Sequence, residues 1–417
     1  MKTELGYGKQ KIEFSVPENR IKEVLTPNKV KIELTGAAEV ERALDFPFGS
    51  KKIEEIFSCL DRVAIITSDV TRPMPTKVVL PCVLRRLYKA GVKKENVVVV
   101  FALGSHRKHT EEEKKYLVGE EIYNDFIGRL LDSDETDVVR KGVTEKGTPA
   151  DIFRPVAEAD KVIALGNIEY HYFAGYSGGS KAVMPGVSTR AAIRENHSMM
   201  VLPEARSGNI DSPVRKDSEE VCLKFQPIDF LVNVVLNEKK EVIGCFCGDV
   251  IKAHRKGCDF LDGFYKKKLD KGADIVVVSS GGYPKDLNMY QAQKALDNAS
   301  RAVRDGGAII WLAECGEGFG SEVFEKWMTE YTPAERIDNI RKNFVLGGHK
   351  AAAIALVCQR AKIFFVGKFD PKTVRKIGLT PCGSLAEAFD EATRLTGENS
   401  SVIVMPYGGS TLPVIEK

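Results

Sequence analysis

The sequence predicts an α/β protein of two domains with largely parallel sheets and the active site in the cleft between them. Three observations carry this. The chain has 417 residues, and single hydrophobic cores stop growing at about 250–300 residues. Short β-branched runs alternate with helical patterns along the whole length, which is how parallel sheets covered by helices on both faces read. Polar and glycine-rich clusters follow the runs, and in open parallel sheets ligands bind beyond the carboxyl ends of the strands.

Strand runs fall at 63–67, 97–101 and 162–165 in the first half, and at 275–278, 308–312, 363–366 and 402–405 in the second. Helical patterns lie between them at 77–90, 290–305, 350–361 and 384–396. The charged piece 265–272 (Lys266, Lys267, Lys268, Asp270, Lys271) reads as an exposed connection. It divides the chain into an N-terminal cofactor-binding domain, 1–268, and a C-terminal α/β domain, 269–417. The tail 407–417, with Gly408, Gly409 and Pro413, is a candidate for packing back on the first domain.

Composition excludes several classes. Hydrophobic residues are 43% and charged residues 29%, and 61 basic against 58 acidic residues leave a net charge of +3, so neither nucleic acid nor a membrane is expected as a partner. No apolar run approaches the roughly 18 residues of a membrane span, and residues 1–11 lack an apolar signal core. Nine cysteines without a CxxC pair suggest reduced thiols and a cytoplasmic location. Cys245 and Cys247 read as core residues rather than metal ligands.

Four polar clusters follow strand runs: Ser68-Asp69-Val70-Thr71-Arg72-Pro73, Gly104-Ser105-His106-Arg107, Gly166-Asn167-Ile168-Glu169-Tyr170-His171 and the stretch from Ser279 to Asp286. Of the six histidines, His106, His109 and His171 lie in or beside these loops, and two could serve as paired acid and base. Taken singly, each histidine reads first as a hydrogen-bonded structural residue. His254, between Ala253 and Arg255 in a basic stretch, reads as exposed and without a role. The segment from Ala174 to Gly186 is the most unusual: glycines let backbone N–H groups approach an anion, and Lys181 adds charge. It resembles a phosphate cradle but is not a Walker A loop, because Ala182 follows the lysine. Arg72 can clamp a carboxylate with its planar fork, or make a surface ion pair. Asn288 and Gln291 have the spacing of a reciprocal helix cap. Gln291 and Lys294 share a face near that helix N-terminus, which favours anions.

These clusters together resemble the nickel-dependent lactate racemase family. The resemblance rests on Asp69-Val70-Thr71-Arg72-Pro73, on Gly104-Ser105-His106-Arg107, on the block from Gly166 to His197, and on the stretch from Gly281 to Lys294, and it covers most of the chain. It implies a racemase or epimerase of 2-hydroxy acids. It also implies nickel and a pyridinium-3,5-bisthiocarboxylic acid mononucleotide (the nickel-pincer nucleotide), joined covalently to Lys181, with His197 as nickel ligand. Asp69, Thr71, Ser177, Gly178 and Gly179 are the further cofactor contacts expected. The acid/base pair falls on His106 and His171, and Arg72, Lys294 and Gln291 on the substrate carboxylate. The reaction implied is reversible hydride transfer through a planar 2-keto acid, with enzymes of cofactor synthesis as partners. Lactate is the default substrate, and Tyr170 and Tyr172, flanking His171, are expected to shape the pocket. Two other readings stay open: a zinc-dependent hydrolase using His106, His171 and His197, and a non-catalytic protein that binds a phosphorylated ligand through residues 175–181.

Overall fold

The computed structural model describes residues 1–237 and 239–415. The chain divides into two units, one of Val30–Asp262 and the other of Met1–Lys29 with Gly263–Lys417. The division near 268 expected from the lysine-rich piece thus differs in one respect: the first 29 residues belong with the C-terminal half.

The unit Val30–Asp262 is built on a six-stranded sheet in the order Val242–Gly248, Phe230–Leu236, Lys161–Asn167, Val63–Ser68, Val97–Ala102, Leu130–Asp132. All pairings are parallel except that of Val242–Gly248 with Phe230–Leu236. Successive side chains of a strand face opposite sides. Val63 and Ile65 accordingly enter one apolar cluster, while Ala64 and Ile66 enter the other. Burial on both faces is why these strands are uninterrupted apolar runs. From Val63–Ser68 the chain proceeds outward on one side, then returns to lay Lys161–Asn167 on the other. The strand order reverses between these two neighbours, and in open parallel sheets ligands bind at the carboxyl edge of such a switch point.

The other unit repeats the plan. Its parallel sheet runs Thr380–Pro381, Ala361–Val366, Val303–Leu312, Ala273–Ser279, Val402–Met405, Ile21–Val24. Ile21–Val24 on its edge explains why the N-terminal residues belong here. The hairpin Lys2–Tyr7 with Gln10–Ser15 puts Leu5 and Phe14 into this unit's core.

Three expectations need correction. The helix expected over 290–305 stops at Ala299, and Val303 already opens a strand; the apolar spacing continues through Ala302, but the turn at Ser300–Ala302 ends the helix. The lysine-rich piece is exposed at Lys268, Asp270 and Lys271 but is not a plain connection, because Lys266–Leu269 forms a strand. Its partner is the tail strand Leu412–Ile415, so the tail pairs beside this segment within the same unit. Glu416 and Lys417, at the end of the expected tail, lie outside the described residues. Among the described residues no helix is long and apolar enough to cross a membrane.

Candidate active site

The carboxyl edge of the sheet in the unit Val30–Asp262 carries the loops that follow Val63–Ser68, Val97–Ala102 and Lys161–Asn167. Beyond Val63–Ser68 come Asp69, Thr71 and Arg72. Asp69 is 3% exposed, and its Oδ2 lies 2.7 Å from Nδ1 of His106, which follows Val97–Ala102. Thr71 donates its hydroxyl to both oxygens of the same carboxylate at 3.0 Å. Burial pushes the Asp69 carboxyl up, but the hydrogen bond and charge of His106, with Arg72 and Thr71, hold it below the ordinary range. The carboxylate therefore stays ionised and accepts the His106 Nδ1–H, which leaves Nε2 as a proton acceptor. Asp69 and Thr71 bond to each other, and Asp69 to His106.

His109 is a residue the sequence reading left without a role. Its ring is buried, Nδ1 is 2.6 Å from Oδ1 of Asp132, and Nε2 accepts the N–H of Val70 at 3.0 Å. Asp132 ends the strand Leu130–Asp132, so the sheet edge fixes His109, and His109 fixes the loop that carries Asp69 and Arg72. Its nearness to His106 in sequence was the available signal.

Lys161–Asn167 leads into a small hairpin pairing Tyr170–His171 with Gly175–Tyr176. At its tip Nδ1 of His171 accepts the N–H of Ala174 at 3.2 Å. In the neutral ring the proton then sits on Nε2. Phe173 forms a shared wall: its ring centroid is 4.5 Å from the His171 ring, 4.8 Å from the His197 ring and 5.8 Å from Nζ of Lys181. Burial, and then the charges of Lys181 and Arg72, hold His171 well below the usual histidine range. The same causes in the same order pull His197 down to about 3. Lys181 is held well below the ordinary lysine value by burial, then by Arg215 and Arg72. Among the described residues no carboxylate lies within ion-pair distance of its amine. Arg72 is itself exposed, yet its charge acts on all three groups.

The turn preceding Lys181 is clamped from behind. Gly179 donates its N–H to Oδ1 of Asn233 at 2.8 Å, and a Cβ on Gly178 would stand 2.5 Å from that oxygen. Gly178 and Gly179 have φ of 73° and 61°, where L side chains are strained. Ser177 donates to the carbonyl of Asn167 at 2.7 Å and accepts the N–H of Glu169 at 2.8 Å. The hydroxyl of Ser177 and the N–H of Gly179 are thus bonded inside the protein and shape the turn. His254 corrects its expectation: it is 1% exposed, and its Nε2 lies 2.9 Å from the carbonyl of Ser177. The helix Lys252–Tyr265 turns it inward, under Gly179. Arg215, fully buried, donates to the carbonyls of Ala174 (3.1 Å) and Tyr176. Tyr170 and Tyr176 both donate to Oδ1 of Asp262 at 2.9 Å, so the Tyr170 hydroxyl is engaged away from His171.

The remaining predicted residues lie in the other unit. Gln291 and Lys294 are exposed on the helix Met289–Ala299. Asn288 caps this helix by accepting the Gln291 N–H at 3.0 Å, but the reciprocal bond from the Gln291 side chain is not formed among the described residues. The cluster at Ser279–Asp286 also belongs here and anchors the N-terminal hairpin. Tyr283 donates its N–H to the Gly8 carbonyl at 2.7 Å, and Gly8 donates to Oδ2 of Asp286 at 2.7 Å. Cys245 and Cys247 are fully buried core residues with sulfurs 3.7 Å apart, in keeping with the core reading. Among the described residues no three His, Cys, Asp or Glu side chains are disposed to hold a metal ion, so His106, His171 and His197 do not form a zinc cluster of the hydrolase kind.

Known proteins resemble this chain over most of its length. Residues 7–208 match the family described as lactate racemase N-terminal domain, and residues 269–413 match lactate racemase C-terminal domain. A lactate racemase of Thermoanaerobacterium thermosaccharolyticum is 33% identical over 423 residues, covering 98% of each chain. One from Lactiplantibacillus plantarum is 34% identical over 390 residues, covering 90% of each. The structure of the lactate racemase apoprotein from T. thermosaccharolyticum superposes with a TM-score of 0.89 at 32% identity, over 99% of this chain and 100% of that one. A Thermotoga maritima protein at 19% identity and a TM-score of 0.61 shares the fold. By class the protein is an isomerase. The chain belongs to the lactate racemase family.

Proposed function

We propose that this chain racemises a 2-hydroxy acid, lactate being the first candidate, through a planar 2-keto acid held in the site, with a nickel-pincer nucleotide attached to Lys181. Bound there, that group supplies reversible hydride acceptance from the substrate α-carbon. The observation that carries the proposal is the Lys181 amine: a lysine against the Phe173 face, without a carboxylate partner among the described residues and held below its ordinary proton affinity. A neutral amine is the nucleophile that covalent attachment requires. Two further features fit. His197 turns its Nδ1 to Asn196, and imidazole beside sulfur donors suits nickel. The Ser180 hydroxyl, next to Lys181, is buried without a partner among the described residues.

The protein's own groups supply binding and proton traffic. Arg72 takes the substrate carboxylate with its planar fork, and Lys294 and Gln291 are assigned as further carboxylate contacts. His106, backed by Asp69, takes the hydroxyl proton at Nε2, and the carboxylate stabilises the imidazolium that results. His171 begins with its proton on Nε2 and is the complementary donor to the substrate oxygen. A neutral His171 gives the substrate oxygen a hydrogen bond rather than a proton, and it returns the hydroxyl proton only as imidazolium. Ser177, Gly178, Gly179, Asp69 and Thr71 shape the cofactor's surroundings. The nine free cysteines suit a cytoplasmic enzyme, and attachment calls for cofactor-synthesis enzymes as partners.

The test is to load the protein with the nickel cofactor, supply single enantiomers of several 2-hydroxy acids, and follow chirality by chiral chromatography beside a Lys181→Ala control. Appearance of the opposite enantiomer, absent in the control, establishes the reaction and the substrate class. Undiminished racemisation by Lys181→Ala defeats the proposal.

A further inference from the structure

The helix Arg190–Ser198 carries His197 near its end, and its neighbour Asn196 is 1% exposed. The Asn196 amide is constrained on both sides. Its Nδ2 lies 3.0 Å from the carbonyl of Val214 and 2.7 Å from Oδ2 of Asp217, both on the helix Pro213–Glu220. A carbonyl and a carboxylate only accept, so the donor end of the amide must face them. Its Oδ1 therefore faces His197, 3.0 Å from Nδ1, and an amide oxygen only accepts. The ring proton must then sit on Nδ1. Asp217, 2% exposed, is itself held, since Thr144 donates its hydroxyl to Oδ1 at 2.5 Å.

We infer that Asn196 and Asp217 form a positioning relay that fixes His197 with its proton on Nδ1 and its Nε2 unprotonated, the tautomer a nickel ligand needs. The inference rests on the reading of His197 as the nickel ligand and adds two residues that neither the sequence nor that reading assigned. Histidines that ligate metals donate their other ring N–H to a second group, which fixes tautomer and ring orientation, and loss of that group costs about 10–100-fold in metal affinity. Here the second group is an amide that cannot rotate without placing its oxygen against a carboxylate.

Two measurements test the relay. In apo protein labelled with ¹⁵N-histidine, the His197 ring, assigned by its absence from His197→Ala, should show protonated Nδ1 and bare Nε2. A majority of the Nε2–H tautomer overturns the relay, and this arm requires no variant at Asn196 to fold. In cofactor-loaded protein, nickel release to a chelator is timed by metal analysis, with intact mass confirming the adduct on Lys181. Asn196→Leu should release nickel roughly 10–100-fold faster than wild type while keeping the adduct. Asp217→Asn, which can still accept from Asn196, should stay within a few-fold of wild type. Wild-type retention by Asn196→Leu overturns the relay. Wild-type retention by His197→Ala instead defeats the ligand reading beneath it.

Discussion

Oδ2 of Asp69 stands 2.7 Å from Nδ1 of His106, and the hydroxyl of Thr71 closes on the same carboxylate. This pair orients one imidazole and stabilises its charged form, so removing the charge should cost rate rather than folding. For Asp69→Asn, kcat should fall roughly 10²–10⁴-fold with covalent cofactor loading intact. Racemisation rates and intact mass measured together check this, and a variant within three-fold of wild type (about 0.6 kcal/mol) would show that Asp69 does not serve His106.

Lys181 has a second consequence, in the apo protein. Its folded pKa lies below the unfolded one, so the unfolded state binds more protons across that interval and stability rises with pH. The rise ends near the unfolded value of about 10.4. Lys181→Met should remove this slope and raise the melting temperature near neutral pH. Thermal melts from about pH 6 to about pH 10 decide it; parallel curves for wild type and variant would mean the lysine is not desolvated.

The glycine turn tolerates no side chain. A Cβ on Gly179 would stand 2.9 Å from the His254 ring, at a φ of 61°. Gly179→Ala should therefore cost about 1–3 kcal/mol and also impair attachment at Lys181, because the lysine leaves that turn. Equal loading of wild type and variant in intact-mass spectra would separate the turn from the chemistry.

Asp286 holds the N-terminal hairpin through Gly8 and also accepts the N–H of Glu314 at 3.2 Å. Hydrogen bonds to a charged group contribute about 1.5–3 kcal/mol each. Asp286→Ala should lower the melting temperature and expose the segment around Gly8 to protease. An unchanged limited-digestion pattern would show that the hairpin does not depend on this carboxylate.

The central strands were legible because they are buried on both faces: residues 63–66 and 275–278 are uninterrupted apolar runs. Phe230–Leu236 is interrupted by Asn233, the residue that holds the glycine turn, and Ile21–Val24 is half polar because it lies on a sheet edge. The groups proposed for the chemistry could also be singled out, since a few histidines and one lysine after a glycine run are rare. Their supports were not. Arg215 clamps carbonyls 39 and 41 residues away, and His254 reaches one 77 residues away. No local spacing encodes such pairs, because they exist only once the sheet has brought distant loops to one edge.

The edge strand Ile21–Val24 ties the order of synthesis to the order of folding. Its partner, Val402–Met405, leaves the ribosome after some 380 further residues, about 20–80 s later at ordinary elongation rates. Val30–Asp262 has its whole sheet in hand long before then and can fold on the nascent chain. The leading segment, with an amphipathic hairpin and an unpaired strand, must wait. In the cell this is the stretch where chaperone binding, or a mistaken pairing with another chain, is to be looked for.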